Sequence, residues 1–259
     1  MTFPFHIGTT SYIIPDDILP NVRYLSGKVE DIELVLFEID DGPNNLPDPV
    51  TISTLQQLAV QHHLSYTVHL PLDLRLADEE GKQHISLIKA RHVIESTRAL
   101  QPWAYVLHLD GRELLENHDQ NKKKEWNRQA ALALEQVSAW VDDPAQLAVE
   151  NLDHYPLDFW DEVLENSPVS RCIDIGHLWY DGHDPIPYLH QHLARTRVIH
   201  LHGFSDRDHQ SLSQIPGKLI RKLLDYLILS GYGGVVTLEV FNEKDLFSSL
   251  EAIHKFGSE

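Results

Sequence analysis

Six residues able to bind a metal stand at the ends of successive β-prone runs of this chain: His69, His108, Glu150, Asp174, His200 and Glu239. Four of them, Glu150, Asp174, His200 and Glu239, form a mixed carboxylate and imidazole set. Both ligand types accept borderline divalent metals, so the set suits Zn, Mn, Co or Fe(II). Three carboxylates held side by side would be prohibitive without a cation, because like charges at short range raise one another's pKa or expel the group. Further candidates surround this core: His177, three residues beyond Asp174, and the cluster Asp206, Asp208 and His209 after the seventh run. Together they could hold two or three divalent ions per chain, with Zn or Mn the first expectation. Ions a few ångströms apart are the usual apparatus for attacking a phosphodiester, one generating hydroxide near neutral pH and the others stabilising the attacking and leaving oxygens. A sugar isomerase working with one ion has no such demand for the surrounding histidines.

The elements that must position these residues are short and regular. Eight β-prone runs, at 5–9, 31–37, 65–70, 103–109, 146–152, 171–175, 197–201 and 235–241, alternate with stretches of helical spacing such as Ile52, Leu55, Leu58 and Ala59. Ile85, Ile88 and Val93 make a second such stretch, and Ala131, Leu134, Val137 and Val141 a third. Strands alternating with helices imply a parallel sheet, since a parallel crossover needs a dozen or so residues. A (β/α)8 barrel needs about 250 residues, so the 259 residues fit one TIM-barrel domain over 1–259. In such a barrel the C-terminal strand ends converge on one rim, where side chains distant in sequence meet. Gly27, Gly81 and the group Gly231, Gly233 and Gly234 punctuate the elements. The polar stretches near 40–51 and 111–128 read as loops, and Lys122 to Lys124 as a solvated face.

Composition narrows the partners. With 21 Lys plus Arg against 39 Asp plus Glu, the formal net charge of -18 would repel a polyanionic backbone. A small-molecule substrate is therefore expected and nucleic acid is not. No stretch approaches eighteen uninterrupted apolar residues and the N-terminus lacks a basic segment followed by an apolar one, so a cytoplasmic protein without a membrane partner is expected. The single cysteine, Cys172, shares the inward parity of Asp174 and reads as a small core residue; it excludes an intramolecular disulfide and fits a reducing compartment. P-loop, dinucleotide, serine-hydrolase and HExxH patterns are absent.

The order of these ligands resembles that of the xylose isomerase-like barrel superfamily, in its endonuclease IV branch with a trinuclear zinc site. That resemblance implies that His69 and His108 hold a first ion, which Glu150 bridges to a second completed by Asp174, His200 and Glu239. It gives the third ion to His177, His209 and one nearby aspartate. The family has Asp-x-His after the seventh strand, whereas SDRDHQSL here offers Asp206 or Asp208.

A narrower likeness lies in GTTSYIIPDDILPNVRYL (8–25) and VEDIELVLFE (29–38), which are similar to the cobamide-remodelling phosphodiesterases of this superfamily. It implies hydrolysis of the nucleotide-loop phosphodiester of a corrinoid, giving cobinamide phosphate and an α-riboside, with Glu150 as the catalytic residue positioning the attacking water. His202, Glu38 and Tyr12 are the candidate substrate contacts. Trp103, Trp179 and Tyr180 could flank a large planar ligand or simply pack. The alternatives are a sugar or inositol isomerase or epimerase with one ion at Glu150, Asp174, His200 and Glu239, an endonuclease IV-like DNA repair enzyme, and a non-catalytic metal or corrinoid binder.

Overall fold

Eight parallel strands close on themselves in sequence order: β1 (His6–Thr10), β2 (Asp31–Val35), β3 (Ser65–His69), β4 (Tyr105–Leu107), β5 (Leu147–Glu150), β6 (Ser170–Asp174), β7 (Thr196–Leu201) and β8 (Val235–Leu238). A computed structural model gives this architecture and describes residues 3–38, 44–71, 74–75, 83–115 and 119–257. Around the barrel run α1 (Ile18–Leu25), α2 (Pro49–His62), α3 (Ile85–Thr97), α4 (Gln120–Ser138), α5 (Asp161–Leu164), α6 (Ile175–Tyr180), α7 (Pro185–His192), α8 (Gly217–Leu229) and α9 (Glu243–Gly257). The fold is the expected (β/α)8 barrel.

Local chemistry sets the helix starts. Asp48 accepts from Thr51 N at 2.7 Å and Pro49 occupies the first turn of α2, so the helix takes over the end of the stretch read as a loop. Asp119 caps α4 in the same way, accepting from Asn121 N at 2.8 Å, and converts the second half of the other polar stretch into helix. Within α4, Lys123 departs from the solvated face expected of it: its ammonium lies 3.4 Å from the Phe159 ring centroid and donates to Phe159 O. Burial pushes that amine down to about 8. Gly27 and Gly231 adopt left-handed backbone beyond α1 and α8, where glycine carries no Cβ penalty. Gly81 lies outside the described residues.

The helices bury apolar stripes against the outside of the barrel. In α8, Ile220, Leu223, Leu224 and Leu227 are all fully buried, each contributing about 1.5–3 kcal/mol. The lumen divides differently. On the β4 to β7 side it holds the small apolar cluster Ala104, Val106, Ala148, Cys172 and Val198. On the β8 to β3 side it holds Asp31, Glu33, Thr67 and Thr237, all completely buried. Trp103 stands before β4, at the opposite end from the strand C-termini. Its indole donates to Arg197 O at 2.9 Å and its ring stacks on the Arg197 guanidinium, so it does not flank the mouth of the barrel.

Candidate metal centre

The six strand-end residues meet at one rim. His69, Glu150 and Asp174 are the last residues of β3, β5 and β6; His108 and Glu239 follow β4 and β8 by one residue, and His200 lies near the end of β7. Glu150 is the hub. Its Oε2 lies 3.1 Å from His108 Nε2 and 3.4 Å from His69 Nε2, while its Oε1 lies 3.3 Å from His200 Nδ1. His200 Nδ1 is also 3.1 Å from Glu239 Oε2 and 3.8 Å from Asp174 Oδ2. Two donor groups therefore share one carboxylate: His69, His108 and Glu150 on one side, and Glu150, Asp174, His200 and Glu239 on the other. Within each group the donor atoms lie within 4.8 Å of one another.

Three of the imidazoles are anchored through one nitrogen, with the other turned to the centre. His69 places Nδ1 2.9 Å from Leu70 O, His177 places Nδ1 3.0 Å from Asn151 O, and His200 places Nε2 2.9 Å from Glu33 Oε2. An N–H donated at each contact leaves the lone pair of the other nitrogen facing the carboxylates, the usual way a protein fixes the tautomer of a metal-binding histidine. Asn151 also clamps Asp174, accepting from its N–H at 2.9 Å and donating to its carbonyl at 3.0 Å. Asp174 in turn caps α6 by accepting from His177 N at 2.7 Å, so the three-residue spacing of Asp174 and His177 is one turn of a helix started by a candidate ligand.

A third group gathers beside these. His177 Nε2 is 3.3 Å from Asp208 Oδ2, His209 Nδ1 is 3.5 Å from the same oxygen, and His202 Nδ1 is 3.2 Å from Asp208 Oδ1. Of the two aspartates left open by the sequence, the structure brings Asp208 to the histidines. Asp206 sits away from them, exposed, accepting from Ser205 Oγ at 2.9 Å and Gln210 Nε2 at 2.6 Å. The reason is a short loop closed by the Gly203–Gln210 bridge: Asp206 lies near its tip, and Asp208 and His209 lie on the returning arm.

The electrostatics test whether divalent ions fit. Burial by itself would raise the Glu150 carboxyl, yet His200 and His108 outweigh it and hold the group well below the usual carboxylate range. Glu239 behaves likewise beside His200 and His209. Burial would lower the His200 and His177 imidazoles, and the surrounding carboxylates reverse that, pushing both well up. His209 is pushed up to about 9 against its burial by Glu239 and other acids. Protons on these histidines are then what offsets the buried acids, and Glu239 Oε2 still accepts no hydrogen bond. Divalent cations fit this donor set because they would replace those protons and fill the idle lone pairs.

The other sequence candidates fall in varied places. His202 is fully buried, with Nε2 3.2 Å from Asp174 and its ring stacked 4.4 Å from His209, so it bridges Asp174 and Asp208. Tyr12 is 41% exposed on the loop after β1, its ring 6.4 Å from Phe37. That loop is pinned by Asn21, whose side chain accepts from Ile13 N and Ile14 N, both at 2.9 Å. Glu38 faces His92 of α3 at 3.1 Å and belongs to none of the three groups. Cys172 is buried, as expected, with its sulfur beside Glu150 and His200. Sequence reasoning missed Glu33 and Asn151. Acids at alternate positions in a strand otherwise apolar, Asp31 and Glu33, were a signal for the first.

The comparisons agree with this fold. The family model described as xylose isomerase-like TIM barrel matches residues 29–256. A D-tagatose 3-epimerase-like protein superposes with TM-score 0.76 at 19% identity, covering 97% of each chain. Endonuclease IV from Thermus thermophilus gives TM-score 0.68 at 17% identity, covering 98% of each. The 3-keto-D-glucoside 4-epimerase of E. coli gives 0.67 at 16% identity, covering 98% of this chain and 100% of that one. No curated protein sequence matches. The chain is a member of the xylose isomerase-like TIM barrel family. Epimerases and an endonuclease share its fold, so the expectation against nucleic acid rests on the chain's charge alone. Among the described residues, no helix is long and apolar enough to cross a membrane.

Proposed function

We propose that the chain is a metal-dependent phosphodiesterase acting on the nucleotide-loop phosphodiester of a corrinoid. The observation that carries the reading is the shared carboxylate of Glu150, with one oxygen turned to His69 and His108 and the other to His200. An enzyme working with one ion needs only Glu150, Asp174, His200 and Glu239; the extra histidines, and the third group around Asp208, suit chemistry that spreads charge over several oxygens. Divalent ions bound there would supply Lewis acidity and lower the pKa of water toward neutrality.

The chain's own residues do the rest. His69, His108, Glu150, Asp174, His200 and Glu239 are the ligands of the first two pockets, and His177, Asp208 and His209 those of the third. Glu150 orients the attacking water and accepts its proton. Buried Glu33, Asn151 and His202 keep these groups aimed. The corrinoid assignment rests on the likeness of 8–25 and 29–38 to cobamide-remodelling enzymes, on exposed Tyr12, and on an acidic chain poorly suited to a duplex.

The four-residue set alone would equally serve a sugar epimerase with one ion, and the epimerase folds favour keeping that second reading. One experiment separates them: metal-analysed protein is incubated with adenosylcobalamin and with ketoses. Two or more ions per chain and cobinamide phosphate by mass spectrometry are expected, both lost on chelation. One ion with ketose turnover and no cobinamide phosphate would replace the phosphodiesterase reading with the epimerase one.

A further inference from the structure

The rim around the metal centre has two unlike halves. Four Phe, Tyr or Trp side chains among the described residues are exposed, and three of them, Tyr12, Tyr180 and Phe241, stand on the segments that leave β1, β6 and β8 at the rim. Large apolar rings are usually buried, so their gathering on one edge marks a surface with a partner. The segments from β3 to α3 and from β4 to α4 carry no Phe, Tyr or Trp, and on the segment after β5 Tyr155, Phe159 and Trp160 are buried.

The three exposed rings belong to one arc. The Tyr180 ring centroid lies 5.3 Å from that of Phe204. The Gly203–Gln210 bridge sets Phe204 across its loop from His209, whose ring centroid lies 5.6 Å from that of Phe241. Val240 O accepts from Thr10 Oγ1, so the chain leaving β8 runs beside the chain leaving β1, and there the Tyr12 ring lies 6.4 Å from Phe37, which follows β2. The arc thus tracks β6, β7, β8, β1 and β2, five consecutive strands of the closed barrel. Neighbouring strands lie about 4.8 Å apart, so it runs for about 19 Å along the rim. His209 is both a member of the arc and one of the third donor group, which makes the aromatic surface continuous with the metal centre.

We infer that this arc seats the corrin ring, with the nucleotide loop turned inward over Glu150. The inference rests on the corrinoid reading above and adds which side of the rim takes which end of the substrate. Exposed aromatic faces and edges hold flat apolar surfaces by offset stacking and edge contact. A monosaccharide is too small to span the arc and would leave most of it in water. A wide macrocycle carrying its phosphodiester on a side arm matches an aromatic surface that ends at a cluster of metal-binding donors. The polar half of the rim, where Arg112 and Glu113 are exposed after β4, is then left to the departing riboside.

Equilibrium dialysis of the metal-loaded full chain against dicyanocobinamide, which keeps the corrin ring and lacks both the diester and the nucleoside, reads the arc without turnover. Phe241→Ala and Tyr180→Ala should each weaken binding by about 3- to 10-fold, and Phe241→Tyr should retain it. Leu229→Ala, an exposed apolar position at the last residue of α8, should leave binding unchanged. No binding by the wild type, or binding that both alanine variants leave within about twofold, overturns the inference. So does a single-stranded oligonucleotide that binds the same rings more tightly than the corrinoid, which would make the arc a base-stacking platform. Ring-dependent cobinamide binding without release of cobinamide phosphate from adenosylcobalamin would retain the arc and remove the hydrolytic reading; hydrolysis with a wild-type KM in both alanine variants would do the reverse.

Discussion

His200 Nε2 lies 2.9 Å from Glu33 Oε2, and neither side chain has any exposed surface. The pair spans the lumen and leaves Nδ1 of His200 turned toward Glu150 and Glu239. Glu33 is thus a positioning residue whose removal should act through metal affinity. Partners of this kind are typically worth about 10- to 100-fold in affinity or activity. Glu33→Gln should weaken the ion at Glu150, Asp174, His200 and Glu239 by about that factor, read by competition with a chromophoric chelator. Unchanged affinity with unchanged thermal midpoint would deny Glu33 this role.

The loop after β7 gives a paired comparison. Asp208 touches three histidines and is held down to about 2, burial being outweighed by its hydrogen bond to His177 and by His202 and His209. Asp206 is exposed. Asp208→Ala should lower the metal content by one ion per chain and cut kcat by about 10²-fold or more, whereas Asp206→Ala should alter neither beyond twofold. Inductively coupled plasma analysis of both variants decides between them.

Gly176, between Asp174 and His177, has no room for a side chain: a Cβ there would strike the ring of His202. That ring is wedged between Asp174 and Asp208 and has nowhere to yield. Gly176→Ala should therefore cost about 1–3 kcal/mol as overpacking, and it should release the third ion before the other two in a chelator titration. Wild-type stability and metal retention would contradict the packing.

Burial pushes the Asp31 carboxyl up to about 7, against the hydrogen bonds of Ser65 and Thr67. An acid whose folded pKa exceeds its unfolded one binds its proton more tightly when folded. Its stabilising effect is complete below about pH 4 and is lost as pH rises to about 7, a difference of roughly 4 kcal/mol by linkage. Asp31→Asn should thus gain on the wild type between pH 5 and 8 in urea denaturation. A pH-independent difference between the two would show that Asp31 titrates normally.

The barrel and its rim were legible because alternation and strand ends are local properties. Each of the eight β-prone runs overlaps a strand, and the ends of those runs carry His69, His108, Glu150 and Asp174 to one face. Contacts that cross the lumen were not legible. Glu33 lies inside its strand and not at an end, and its partner is 167 positions away. The choice between Asp206 and Asp208 depended on where a short loop turns back, which spacing alone does not fix. His202 shares the parity of His200, but its complete burial follows from α6 passing over it at Gly176, a packing event no periodicity records.

Sharing one carboxylate between neighbouring pockets makes their occupants interdependent. An ion held by His69 and His108 would freeze the rotamer of Glu150, and so prepare the oxygen that faces His200. Filling should then be cooperative, and a depleted sample should be a mixture of full and bare molecules rather than a uniform half-loaded population.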